Sequence, residues 1–146
     1  MIFEKKEKTN LFVKTRILFI LTSCFLFLAS PIFSQKTKML LADGDKAFAE
    51  KDFFSAAGYY NKAILQDSSD IVVQYKYADA SRLNYDYDIA EHWYTKVFKK
   101  DAQGKLYPEC SFWLATLKKS KGNYKDAKKC LINMPRKTKR RKIIIL

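Results

Sequence analysis

Apolar residues in this chain recur at helical spacing from residue 40 onward. Leu40, Leu41, Gly44, Ala47 and Phe48 fall on one face of a 3.6-residue repeat, and Phe54, Ala57, Tyr60 and Ile64 form a second stripe of the same kind. Asp52, Asp86 and Asn123 each stand directly before an aromatic residue. There a short polar side chain can accept from the free N–H groups of a helix start, so these three are expected to be N-caps. Turns such as SSD, NYD and KGN separate the stripes, which predicts six helices of roughly 12 to 14 residues. Only Ile71 to Tyr77 alternates as a strand would, and its place in a longer repeat overrides that reading.

The longer repeat has a period of 34. Residues 37–70 and 71–104 align without a gap, and a third copy, 108–135, begins at Pro108 after the insertion Lys105 to Tyr107. The eighth position of each copy is small (Gly44, Ala78, Ala115) and the twentieth is alanine throughout (Ala56, Ala90, Ala127). The seventeenth is aromatic (Phe53, Tyr87, Tyr124) and the twenty-fourth is large (Tyr60, Tyr94, Leu131). Two closely crossed antiparallel helices need that alternation, because small residues let the backbones approach and large ones fill the space where they diverge.

On these columns, and on the strings KDFFSAAGYYNKAILQDSSD, YDYDIAEHWYTKVFKKDAQG and GNYKDAKKCLINM, residues 37 to 134 resemble the tetratricopeptide repeat. The resemblance implies an all-α solenoid of about three antiparallel helix pairs following an N-terminal export signal. Two features depart from that family: Ser68 and Ala102 replace its usual proline, and its seventh-position leucine survives only as Leu114. Met134 and Pro135 fall inside the expected last helix, which should therefore stop short. Such arrays bind along a groove lined by the first helix of each pair. By register that groove would carry Leu41, Asp45 and Phe48, then Tyr75, Asp79 and Arg82, then Phe112, Thr116 and Lys119. Leu41, Tyr75 and Phe112 would form an apolar strip suited to an extended peptide or a partner helix, the other reading being that Tyr75 and Phe112 pack between pairs. The clamp for an acidic peptide C-terminus is not supported by Leu41 with Asp45 or Tyr75 with Asp79. The second and third copies, YKYADASRLNYDYDIAEHWYTKV and FWLATLKKSKGNYKDAKK, look like the N-terminal repeat region of bacterial envelope proteins of the OmpA family. Those proteins continue into a propeller and a peptidoglycan-binding domain, and some belong to type IX secretion machinery. Peptidoglycan binding does not carry over to this chain.

The N-terminus changes the picture of where the protein works. A basic lead (Lys5, Lys6, Lys8, Lys14, Arg16) precedes the uncharged apolar run 17–29, then Pro31 and the small Ser34. That order reads as a signal peptide over 1–34 with cleavage near Ser34, since the run is short for a span of roughly 20 residues. Leu21-Thr22-Ser23-Cys24 resembles a lipobox, so a lipidated Cys24 is one alternative, and an uncleaved anchor over 11–33 another. Export would place residues 35–135 in the periplasm or at the outer-membrane periphery of a Gram-negative-type cell, with membrane association through the N-terminus.

The formal charge of +13 suggests nucleic acid at first, but its distribution argues against that. Residues 35–135 hold 17 basic and 13 acidic side chains, and six of the remaining positive charges crowd into Arg136 to Lys142, a basic tail over 136–146 that reads as disordered or as a truncated end. Chemistry-bearing patterns are missing too. Cys110 and Cys130 form no CxxC, and the single histidine, His92, is read as solvated. The four glycines make no phosphate-binding loop. The sequence therefore predicts a non-enzymatic scaffold that holds other envelope proteins or peptides by its groove, with no cofactor, metal, small-molecule substrate or nucleic acid.

Overall fold

A computed structural model describes residues 30–135, with side chains from Gln35 onward. The expected signal peptide, its lipobox and anchor alternatives at Cys24 and 11–33, and the 136–146 tail lie wholly or largely outside the described residues. Among those residues the protein is all-helical, with no strand: α1 Ser30–Ala49, α2 Phe53–Gln66, α3 Ile71–Leu83, α4 Tyr87–Lys100, α5 Cys110–Ser120 and α6 Tyr124–Ile132. Helix α1 begins with Pro31 in its first turn, where a missing N–H costs nothing, and it runs on through residue 34. None of these helices is long and apolar enough to cross a membrane.

From Thr37 the chain forms one compact unit in which consecutive helices pack on one another, α2 on α3, α3 on α4, α4 on α5 and α5 on α6. Its core comes in two clusters. One gathers Ala47, Ala56, Tyr60, Ala63, Ile64, Val73 and Tyr77; the other gathers Ala78, Ala90, Tyr94, Val97, Cys110, Leu114 and Ala127. Trp93 packs against both.

The small columns do what their spacing predicts. Ala56, Ala90 and Ala127 are buried, and a Cβ added to Gly44 would come 2.5 Å from Cε1 of Tyr60, so α1 and α2 touch where side chains are smallest. Two apolar expectations fail. Phe54 is 75% exposed, because 100° per residue carries it well round from the face of Ala56, Tyr60 and Ala63. Tyr87 and Tyr124 are exposed as well; each is the first residue of its helix, with no preceding turn to pack against. Phe53 packs edge-on to Phe48 at 5.3 Å, whereas Tyr87 meets only the exposed Tyr85 ring.

Each helix pair closes with the same turn. Amides of Lys51, Tyr85 and Gly122 reach back to the carbonyls of Phe48, Arg82 and Lys119, and the next amides reach Ala47, Ser81 and Lys118. This geometry puts Lys51, Tyr85 and Gly122 in the left-handed region at φ of 65°, 66° and 76°. The following caps are less uniform. Asp52 accepts from the amide of Ser55 and Asn123 from that of Asp126, as expected, but Asp86 makes no cap because its carboxylate is taken by the Asn84 amide group at 2.6 Å. Asp70 caps α3 through the Val72 amide.

The insertion at 105–107 is built rather than loose. One carboxylate, Asp101, accepts from the amides of Lys105, Leu106 and Tyr107 at 2.8–2.9 Å. Helix α6 ends at Ile132, the short last helix that Met134 and Pro135 predict, and Pro135 then lies against the insertion loop at Gly104. A Cβ on Gly104 would sit 2.8 Å from Cγ of Pro135 at a φ of +60°, so strain and crowding add. Gly104→Ala is expected to destabilise the protein by about 1–3 kcal/mol in a thermal melt. Gly58→Ala, in a helix with nothing within 4 Å of the new methyl, should instead raise stability by about 0.5–1 kcal/mol.

Candidate binding face on the first helices of the pairs

The nine residues placed in the groove by register do sit on α1, α3 and α5, but they divide into three kinds. Asp45 and Asp79 are held in polar clusters. The Tyr60 hydroxyl donates to Oδ1 of Asp45 at 2.6 Å, and Lys76 Nζ sits 2.5 Å from both carboxylate oxygens. One period later the Tyr94 hydroxyl donates to Oδ1 of Asp79 at 2.8 Å while Arg82 donates Nη2–H to the same oxygen and Nε–H to the Tyr94 oxygen. Partial burial pushes the Asp45 carboxyl up, yet the hydrogen bonds from Lys76 and Tyr60 prevail and hold it below its ordinary value. Burial, reinforced by the neighbouring aspartates, drives the Tyr60 and Tyr94 phenols far above theirs. The third copy has Thr116 and Leu131 at these positions, and the cluster is gone; Thr116 donates to the Phe112 carbonyl at 3.0 Å.

Tyr75 and Phe112 are the second kind, and here the expected strip changes. Phe112 is only 5% exposed, so it is a packing residue rather than an open anchor. Tyr75 is half-buried, stacked on Tyr107 of the insertion with centroids 4.0 Å apart and planes 16° apart, and edge-on to Tyr94 at 5.9 Å. The three-residue insertion therefore covers the centre of the strip that register alone would leave open. Leu41 and Phe48 are half-buried against the first core cluster.

Arg82, Thr116 and Lys119 are the third kind, and of these Arg82 and Thr116 meet at one cleft. Arg82 and Thr116 line a cleft of about 360 Å³ together with Leu83, Tyr85, Tyr87, Trp113, Leu117 and Ser120. The guanidinium of Arg82 lies over the Trp113 ring, 3.9 Å from its centroid, and the Tyr85 and Tyr87 rings meet edge-on at 6.2 Å. Lys119 is exposed beside Ser120 on the α5 wall. Register reasoning missed Tyr85, Tyr87, Trp113 and Tyr107. Tyr85 and Tyr87 lie in the turn and at its exit, and the spacing of exposed rings on either side of Asp86 was the available signal. A second cleft, of about 390 Å³, opens on the far elements between α2 and the end of α3, with Phe54, Gly58, Tyr77 and Ile89 on its walls.

The remaining chemistry is structural. Cys110 and Cys130 are unpaired and buried in the second cluster; the Cys110 thiol donates to the Tyr94 carbonyl at 3.4 Å, and burial pushes it up to about 12, so it stays protonated. His92 is exposed on α4, edge-on to Trp93. No group of three or more acidic, histidine or cysteine side chains among the described residues is arranged to hold a metal ion. No protein-family model matches the chain, and no curated protein matches it at a significant level.

Proposed function

We propose that this chain is a tetratricopeptide-type array that serves as a non-enzymatic interaction scaffold, binding other proteins through the face made by α1, α3 and α5. The observation that carries this reading is the cleft at Arg82, Tyr85, Tyr87 and Trp113. Tyrosine, tryptophan and arginine are the side chains on which protein interfaces concentrate their energy, and here they come from α3 and α5, the turn after α3 and the first residue of α4. The 34-residue recurrence of the turn at Lys51 and Tyr85, with Gly122 displaced by the insertion, supports the repeat reading. The basic and apolar order of residues 1–34 supports export, and so a place in the bacterial envelope, as a soluble periplasmic protein or at the outer-membrane periphery.

The test is site-specific photo-crosslinking of the full chain in its own cells. A benzophenone side chain at Leu41, Thr116 or Lys119 should give partner adducts, and one at Lys96 or Lys128, exposed on second helices, should not. Adducts from all five sites alike, or from none, would refute the scaffold. The apolar run at 17–29 also supports a second reading, an anchored assembly factor facing the periplasm. Carbonate extraction separates the two: an exported soluble chain is released, whereas an anchored or lipidated one stays with the membrane.

A further inference from the structure

Tyr85 is an expensive residue in its position. Its φ of 66° lies where an L side chain crowds its own backbone, a strain that glycine avoids. The third pair makes the same turn with Gly122. The first pair makes it with Lys51, which shows that a side chain is tolerated there, but Lys51 presents a solvated amine. Tyr85 presents an aromatic ring that is 78% exposed, so burial within the protein does not offset the strain. Its neighbour Tyr87 is 44% exposed, and both rings stand at the mouth of the cleft floored by Arg82 and Trp113. Backbone strain held under an exposed ring at a cleft is the pattern expected of a binding residue.

The charge on the α5 side of the cleft indicates what flanks its occupant. Helix α5 carries Lys118 and Lys119, and Lys121 follows it in the turn, with no acidic residue between Cys110 and Lys121. Lys118 and Lys121 are engaged with Glu91 and Asp88 of α4. Lys119 makes no ion pair among the described residues and stands exposed on the cleft wall's helix. We infer that the cleft takes an internal peptide segment that sets a large aromatic or aliphatic side chain between Tyr85, Tyr87 and Trp113 and flanks it with carboxylates facing Lys119. This rests on the scaffold reading and names the chemistry of its partner.

Three capped peptides test it on the full chain: Asp-Glu-Phe-Leu-Asp-Glu, its counterpart with lysine at every acidic position, and an acidic version with serine in place of Phe-Leu. The first should bind at least tenfold tighter than either of the others, and its affinity should fall as salt rises. Tyr85→Gly should weaken it at least tenfold without lowering the melting temperature, since the turn then matches that of Gly122. Lys119→Glu should weaken it comparably. Equal binding of the lysine or serine peptide, unchanged affinity in Tyr85→Gly, or a lowered melting temperature in that variant would each overturn the proposal. So would binding to anionic phosphatidylglycerol vesicles that depends on Lys119 and ignores Tyr85, which would make the lysines a lipid-facing patch. Crosslinks retained at Leu41 when the peptide test fails would leave the scaffold standing and remove only this cleft.

Discussion

Above pH 10 the two fully buried phenols alone are expected to remove up to about 2.7 kcal/mol of stability per pH unit, enough to unfold the protein cooperatively by about pH 12 to 14. The half-buried Tyr75 phenol and the Cys110 thiol, both also raised by burial, add to that loss. Tyr60 and Tyr94 are 1% and 0% exposed, and burial, together with Asp45 and Asp79, raises both above their ordinary value of 10.0. A phenol whose folded value is raised leaves stability intact below pH 10, because neither state has ionised. Above that pH the unfolded chain releases a proton that the folded chain keeps, so each further unit favours unfolding by about 1.4 kcal/mol per ring. A unit of this size holds on the order of 5–10 kcal/mol, which two such rings exhaust within about two to four units. The measurement is tyrosinate absorbance followed beside helical circular dichroism: part of the absorbance should appear only as the helicity disappears. Full ionisation of all nine tyrosines with the helices intact would mean the two rings are reached by water.

Tyr94→Ala is expected to cost about 3–5 kcal/mol, a large share of what holds a unit of this size together. The ring fills the crossing of the middle pair beside Ala78 and Ala90, and its hydroxyl is one corner of a closed triangle with Asp79 and Arg82. Tyr94→Phe separates the two contributions. It keeps the ring and the Asp79–Arg82 ion pair while removing one hydrogen bond to each, for an expected loss of about 1–2 kcal/mol. It also removes an ionisable group, so the alkaline slope of Tyr94→Phe should fall by about 1.4 kcal/mol per pH unit. Urea midpoints for the three proteins should rank wild type, phenylalanine, alanine. A phenylalanine variant as unstable as the alanine one would place the energy in the triangle instead of the ring.

Much of the helical layout was legible in the residue pattern because helix packing is written in residue size. A column of Ala56, Ala90 and Ala127 opposite Gly44 and Ala78 can be read as a close approach before any coordinates exist. Size columns do not report polar pairing. Asp45 with Tyr60 and Asp79 with Tyr94 repeat at the same spacing and were visible in the sequence, yet only the crossing geometry shows hydroxyl meeting carboxylate. Register also assumes that each copy meets its neighbour in the same way. Lys105 to Tyr107 break that assumption by laying Tyr107 on Tyr75, which is why the apolar strip expected from Leu41, Tyr75 and Phe112 is partly covered. Asp86 failed as a cap for a local reason, the competing amide of Asn84 two residues away.

Trp93 gives the two core clusters a shared member, and that sets how the protein comes apart. In a linear array each unit is coupled only to its neighbours, and cooperativity lasts as long as the interface energy exceeds the difference between the units' own stabilities. Two links carry that coupling here: helix α3, which supplies residues to both clusters, and a single indole that touches Tyr77 on one side and the Tyr94 cluster on the other. Shrinking it should therefore do more than subtract energy. Trp93→Ala would loosen the hinge between the halves, so that α1 and α2 fray while α4 to α6 remain formed, turning one sigmoidal transition into two and giving hydrogen exchange a protected half and an open half.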